Sequence, residues 1–252
     1  MYGSLPELNI DYLNPSIMRV GMIGAGIDGG RNGLDDAPAI DFSGGGKISI
    51  TYDECMLIDP EQHEYFNWLS TYLDGSMRSI VVPIVTDRVG PFPTFGQEYP
   101  QPFISGIRHM DGSIHTDGSG YTQASVFGSF ESDATVGAGQ VAVNIFGASR
   151  HLRWSDWMST HDAVRGWRAW RYWKCSDPVG ITRTVEGETY DGYQYTLSIS
   201  PPLRMNVVAG QRIELARPKF AARLPRGVSL DWEIASAWMS RPTLQFVESE
   251  VR

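Results

Sequence analysis

Four residues near the middle of the chain have the chemistry of a metal site. His109 and Asp111 lie two apart, as do His115 and Asp117, around the turn-forming pair Asp111-Gly112. Residues two apart on a strand share a face, so each histidine could point the same way as its aspartate. Imidazole and carboxylate groups bind divalent metals, but the same residues are also typical of two polar turns. We leave both interpretations open and assign no metal ligand.

A glycine-rich stretch near the N-terminus matches the pattern of a dinucleotide-binding loop. Gly24, Gly26 and Gly29 form the sequence G-x-G-x-x-G after an apolar segment. Such a loop binds a pyrophosphate at the first turn of a following helix. Residues 29–38 contain further glycines and a proline, so no helix is predicted there. We therefore predict no cofactor, and we expect residues 1–47 to form loops with one or two short strands.

No combination of residues typical of a catalytic centre is present in the sequence. The nucleophile pattern G-x-S-x-G is missing. The acidic pairs Asp35-Asp36 and Asp53-Glu54 are adjacent in sequence, so their side chains diverge. A hydrolase would need carboxylates that the fold brings together from distant positions. We predict that the chain is not an enzyme and has no catalytic residues.

The most unusual segment is 150–174, which holds five of the eight tryptophans interleaved with basic residues. Exposed aromatic rings can stack on sugars or bases, and arginine would favour an anionic ligand. In a strand, however, Trp167, Arg171 and Trp173 would share one face and Trp170 the other. That arrangement fits a packed core or a subunit interface, where tryptophan and arginine are enriched. The candidates for an interface or a ligand site are Trp154, Trp157, Trp167, Arg168, Trp170, Arg171 and Trp173.

The composition indicates a mainly β protein with enough apolar residues for a core. The 252 residues include 27 Gly and 15 Pro, and 12% are aromatic. Many turn formers with many aromatic residues favour strands, while 42% hydrophobic residues exclude extensive disorder. No apolar run of membrane-spanning length and no signal-peptide pattern is visible, so we expect a protein made in the cytoplasm with no membrane partner. Cys55 and Cys175 are far apart in sequence, which predicts two reduced thiols.

The net charge of −8 is divided unevenly along the chain. Residues 1–140 contain 6 Lys/Arg and 18 Asp/Glu, whereas residues 141–252 contain 15 and 11. The imbalance is compatible with ordinary solvated surfaces. It is also compatible with neighbouring copies whose opposite charges attract each other in an assembly. Binding of free nucleic acid is disfavoured, because an acidic chain lacks the basic surface it needs.

The clearest elements are a strand, a helix and a second strand in the first third of the chain. Alternating residues predict a strand over Ile48 to Tyr52. A helix over Pro60 to Leu73 follows, with Asp59 as N-cap and Gly75 just past its end. Its strongly aromatic face is predicted to pack on a sheet. Residues 77–85 are predicted to be the next strand.

The rest of the chain has the pattern of hairpins. Strands are predicted over Val141 to Ile145, Tyr193 to Ile199 and Leu244 to Val247, with turns at Glu186-Gly187, Asp191-Gly192 and Ala209-Gly210. The predicted fold is mainly β: a β-sandwich with one flanking helix, plus a second β-barrel or sandwich module. A proline-rich linker around residues 91–102 places the modules at 1–104 and 105–252, with the last strand able to return to the first module.

The order of these motifs resembles that of distal-tail and minor-tail proteins of siphophages and gene transfer agents. The resemblance is carried by the strand Ile48 to Tyr52, the helix Pro60 to Leu73, the sequence Asp74 to Pro83, and Leu197 to Arg204 followed by Val208-Ala209-Gly210. It covers most of residues 45–85 and 185–225. The structural turn in this pattern consists of Pro201, Pro202, Leu203 and Arg204.

The resemblance implies a virion structural protein at the tail tip, assembled in the host cytoplasm. It implies a homo-oligomeric ring, expected to be a hexamer, that contacts the tail tube protein and the tail-tip hub protein. DNA would only pass through as cargo, and an acidic lumen would keep phosphates from sticking. The alternative function is a carbohydrate- or receptor-binding tail protein that uses residues 154–173 to bind a cell-surface glycan.

Overall fold

The part of the chain that the computed structural model describes is mostly β structure. The described residues are 5–24, 26–28, 39–41, 46–84, 127–146, 152, 154–162, 166–185, 188–215, 218–230, 234–236 and 239–249. Strands account for 54% and helices for 11% of them, so the predicted mainly β class is confirmed. The chain divides into two compact units, a first unit (Met1–Val82 with Ala221–Arg252) and a second unit (Pro83–Phe220). The predicted module boundary at residue 104 lies outside the described residues.

The described elements are two helices and a series of mostly antiparallel strands. The helices are α1 (Ile10–Leu13) and α2 (Pro60–Leu73). The strands are β1 (Pro15–Ile23), β2 (Gly26–Asp28), β3 (Ala39–Asp41), β4 (Lys47–Cys55), β5 (Ile80–Pro83), β6 (Phe127–Phe130), β7 (Gln140–Phe146), β8 (Asp156–Asp162), β9 (Gly166–Cys175), β10 (Val179–Val185), β11 (Glu188–Ser200), β12 (Arg212–Glu214), β13 (Lys219–Arg223), β14 (Ile234–Ser236), β15 (Met239–Ser240) and β16 (Leu244–Glu248).

A five-stranded sheet with the order β1-β4-β16-β13-β5 contains β4 as an inner strand. β4 pairs with β1 on one side and with β16 on the other, both antiparallel. The alternation that predicted this strand corresponds to its burial, because Ile48, Ile50 and Tyr52 are completely buried. On α2, the side chains buried in the core are Phe66 and Leu69, with Leu73 one turn further on.

Local signals fix both ends of α2 at the predicted residues. The Gln62 side-chain oxygen accepts hydrogen bonds from the Asp59 and Ile58 amides, at 3.0 and 2.7 Å. This satisfies amides that precede the first helical turn. The helix ends at Asp74 in the left-handed conformation, with φ 45°, and Gly75 follows at φ 63°. The predicted helix from Pro60 to Leu73 is therefore confirmed.

Six strands of the second unit close into a barrel. They follow the order β11-β7-β6-β12-β8-β9, and β11 also pairs with β9, which completes the circle. β10 pairs with β11 outside this circle. The barrel core is formed by Phe130, Val141, Val143, Ile145, Met158, Trp170, Tyr172, Tyr195, Leu197, Ile199, Leu203, Met205, Val207, Ile213 and Leu215. The predicted β-barrel is thus one of the two modules.

Two local predictions were wrong. Asp191-Gly192 is not a turn but lies inside β11, paired with residues of β10. A Cβ atom at position 192 would lie 2.5 Å from the Ile145 carbonyl oxygen. Because glycine has no Cβ atom, it permits this close approach of the two strands. Residues 15–23 form a nine-residue strand, β1, where only short strands were expected. Half-buried and exposed side chains alternate from Met18 to Ile23, but Gly21 and Gly24 interrupt the apolar pattern in the sequence.

Both cysteines are free thiols with little reactivity. Burial raises the pKa of the Cys55 thiol to about 12, and the nearby charge of Asp53 adds to the effect. Burial also raises the pKa of Cys175 to about 11, with a contribution from Asp177. Both are protonated at neutral pH, and a protonated thiol is a poor nucleophile and metal ligand. Within the described ranges, no helix is long and apolar enough to span a membrane.

Candidate functional site

The β8–β9 hairpin separates the tryptophans of the Trp-rich segment into structural and exposed ones. Trp170 is 1% exposed and pairs across the hairpin with Met158, also in the barrel core. Arg168 is buried opposite Thr160. Removing an indole of this size from water is a major contribution to barrel stability. Trp170 is therefore a core residue.

Trp167 is half-buried and is covered by other side chains of the second unit. The Lys219 amine lies 4.4 Å from the centre of its ring, at cation–π distance. The His161 ring meets it edge-on at 5.3 Å. Lys219 is itself held on β8, because its amide donates a hydrogen bond to the Ser159 hydroxyl at 3.0 Å. One face of Trp167 is thus occupied within the fold.

Three of the four remaining candidates form an exposed surface on the barrel. Trp157 is half-buried and lies directly opposite Arg171, which is exposed. Trp173, two residues further along β9, is 61% exposed, and Trp154, just before β8, is 88% exposed. Cross-strand and diagonal neighbours on one sheet face are within reach of each other's side chains. We call Trp157, Arg171 and Trp173 the Trp/Arg surface.

The predicted structural turn is built into the barrel. The Gly137 amide donates a hydrogen bond to the Leu203 carbonyl at 2.7 Å, and the Leu203 amide donates to the Ala138 carbonyl at 2.9 Å. Pro201 and Leu203 are buried, whereas Pro202 and Arg204 are half-buried. Leu203 belongs to the barrel core. The turn therefore packs one end of the barrel.

A second exposed aromatic surface lies on α1 and α2 of the first unit. The rings of Tyr12, Tyr65, Trp68 and Tyr72 stack in a row, with successive centroids 5.2, 5.5 and 5.3 Å apart. The Arg78 guanidinium lies 5.6 Å from the Tyr72 ring and covers that end. Trp68, inside the row, is 43% exposed. We call these four rings the aromatic ladder.

Hydrogen bonds to the backbone hold the ladder in place. The Tyr65 hydroxyl accepts a hydrogen bond from the Asn9 amide at 2.8 Å. The Tyr72 hydroxyl donates one to the Ser79 carbonyl at 3.0 Å. Burial raises the pKa of Tyr65, and the hydrogen bond from Asn9 lowers it only in part, so the phenol stays neutral at physiological pH. The Tyr65 and Tyr72 rings are consequently held in place before any partner binds.

The prediction that the whole aromatic face of α2 packs on a sheet was wrong. Leu69 and its buried neighbours occupy the core side of the helix. Tyr65, Trp68 and Tyr72 form the adjacent stripe, about 100° around the helix axis. Tyrosine and tryptophan tolerate half-exposed positions because each has a polar group. Sequence spacing showed the aromatic stripe but not which of two neighbouring stripes faces the core.

The other sequence candidates are the proposed metal ligands and the glycine-rich stretch. His109, Asp111, His115 and Asp117 lie outside the described residues. Among residues that the structure describes, no group of three or more His, Cys, Asp or Glu is placed to hold a metal. In the glycine-rich stretch, the three residues from Gly26 form β2 and pair with β3, at the point where a dinucleotide loop would lead into a helix.

A scan against protein-family models gave no match, and no curated protein is significantly similar to the chain. A function is therefore inferred from the order of the elements in the fold and from the two surfaces, one on each unit.

Proposed function

We propose that the chain is a structural protein of a long-tailed phage particle, a ring-forming distal tail component that joins the tail tube to the tail-tip hub. The observation that carries the proposal is the order of its modules. β4, α2 and β5 follow one another early in the chain, and a closed barrel that includes the Pro201–Arg204 turn follows them. These are the elements on which the resemblance to distal-tail proteins rests.

The distribution of exposed aromatic residues also supports this function. Each unit has its own aromatic surface, the ladder on the first and the Trp/Arg surface on the second. A closed heterologous ring requires two different surfaces on every subunit. Tryptophan, tyrosine and arginine are the residue types enriched where such contacts are strongest.

The purified chain should assemble into closed rings, with a mass of six chains if it is a hexamer. The measurement is light scattering on a sizing column together with negative-stain images, over subunit concentrations from about 1 to 100 µM, because assembly depends on concentration. Rings with a central opening are the expected result. A chain that stays monomeric across this range would contradict the proposal.

The exposed tryptophans favour a second candidate function, a tail protein that binds a cell-surface glycan. Trp154 and Trp173 are among the most exposed large hydrophobic side chains that the structure describes. An exposed indole can stack on a sugar ring, as aromatic platforms do.

For a glycan-binding tail protein, a glycan array identifies the ligand. Trp173→Ala should then lower the affinity for that glycan about tenfold, because a stacking contact is lost. The matched control is Trp68→Ala, which removes an exposed tryptophan from the other unit and should leave binding unchanged. Affinities are measured by titration with the purified glycan. Equal affinity of Trp173→Ala and wild type, or an array without any signal, would count against glycan binding.

A further inference from the structure

We propose that the aromatic ladder of one copy binds the Trp/Arg surface of the next copy in the ring, an inference that rests on the ring function proposed above. Each subunit would then use its first unit towards one neighbour and its second unit towards the other. Such a contact between unlike surfaces can repeat around a closed ring.

The two units differ in net charge. The first unit contains 8 Lys/Arg and 16 Asp/Glu, whereas the second contains 13 of each, so the first carries the whole net charge. Opposite local charges at a contact speed association and fix its register.

The contrast is sharper at the two surfaces themselves. α2 contains two glutamates and no Lys or Arg, and both glutamates are exposed. Glu61 precedes Tyr65 by four residues and Glu64 precedes Trp68 by four, so both lie beside the ladder. Two exposed basic residues of β9, Arg171 and Lys174, lie at or beside the Trp/Arg surface, and this strand has no acidic residue.

Ring geometry favours the same pairing. The stacked rings of the ladder cover one another's faces and leave their edges for contact. Ring edges carry partial positive charge and pack well against the face of another aromatic ring. The exposed Trp173 of a neighbouring copy offers such a face, and Arg171 and Lys174, also exposed, would meet the glutamates of α2.

Contact between two ladders is a poorer alternative. It would place the acidic α2 helices of two copies against each other, and like charges brought together disfavour association. The ladder is also preorganised by hydrogen bonds from Asn9 and to Ser79, so little side-chain freedom is lost when a partner binds.

A charge-reversal experiment tests the contact directly. Glu64→Arg and Arg171→Glu should each raise the subunit concentration needed for half-maximal assembly about tenfold, because each places like charges at the interface. An equimolar mixture of the two variants should assemble within about threefold of wild type. In alternating copies the introduced arginine would face the introduced glutamate at one contact, and the native Glu64 would face the native Arg171 at the next. Assembly is read by light scattering, and folding of each variant by circular dichroism.

The control variant is Arg226→Glu, which reverses a charge in an exposed turn of the first unit outside α2. It should assemble like wild type. If wild type forms rings but the single variants assemble normally, or are impaired without rescue in the mixture, the contact is wrong and the ring function stands. If wild type itself stays monomeric, the ring function and the contact both fail.

Discussion

Replacing Trp170 with alanine should destabilise the barrel by about 3–5 kcal/mol, the usual cost of removing a large aromatic side chain from a packed core. Trp170 is almost completely enclosed, and it packs in one cluster with Met158 and Tyr172. The lost burial and the cavity that remains both contribute to the loss. Guanidinium unfolding followed by circular dichroism gives the free energy of unfolding, and the barrel transition should shift to clearly lower denaturant.

The matched control is Trp173→Ala, on the same strand three residues away. Trp173 is mostly solvent-exposed, so its replacement should change the free energy of unfolding by no more than about 0.5 kcal/mol. Equal losses for the two variants would mean that both tryptophans are structural and that the Trp/Arg surface is not free for a partner.

The elements that the sequence predicts well are those whose signals are local. For α2 the Gln62 contact to Asp59 and the glycine at position 75 lie within the helix or at most two residues beyond it. The alternation in β4 likewise needs no knowledge of its neighbours, because both faces are specified by residues within nine positions. Local signals of this kind fix where an element begins and ends.

What could not be predicted depends on contacts between distant residues. Leu197 pairs with Val141 on one side and with Cys175 on the other, and this double pairing of β11 closes the barrel. Alternation predicts the strand but not how many neighbours it has. The same limit applies to the prediction of the candidate sites. Composition identified the Trp-rich segment as a whole. The register of β8 and β9 determines that Trp170 is buried and Trp173 is exposed.

Gly192 is a position where a single methyl group should have a large effect. The residue pairs with Phe146 in β7 and with Ile181 in β10, where the outer strand joins the barrel. An added Cβ would lie 2.5 Å from both the Ile145 carbonyl oxygen and a ring carbon of Phe146. A backbone carbonyl in a paired strand cannot move aside without disturbing its own hydrogen bonds. Gly192→Ala should therefore destabilise the protein by about 1–3 kcal/mol, the range for overpacked sites.

The control Gly180→Ala separates this clash from the general effect of replacing a glycine. Gly180 lies on β10 opposite Tyr193, and nothing stands within 4 Å of its Cβ position. Because alanine restricts the unfolded chain more than glycine does, this variant should be unchanged or more stable by about 0.4–1 kcal/mol. The two substitutions add the same atoms to paired strands, so opposite signs in denaturant unfolding would identify the close approach at Gly192 as the cause. Loss of stability in both variants would instead point to a general intolerance of side chains in this hairpin, and the glycine at 192 would then have no special role in joining β11 to β7.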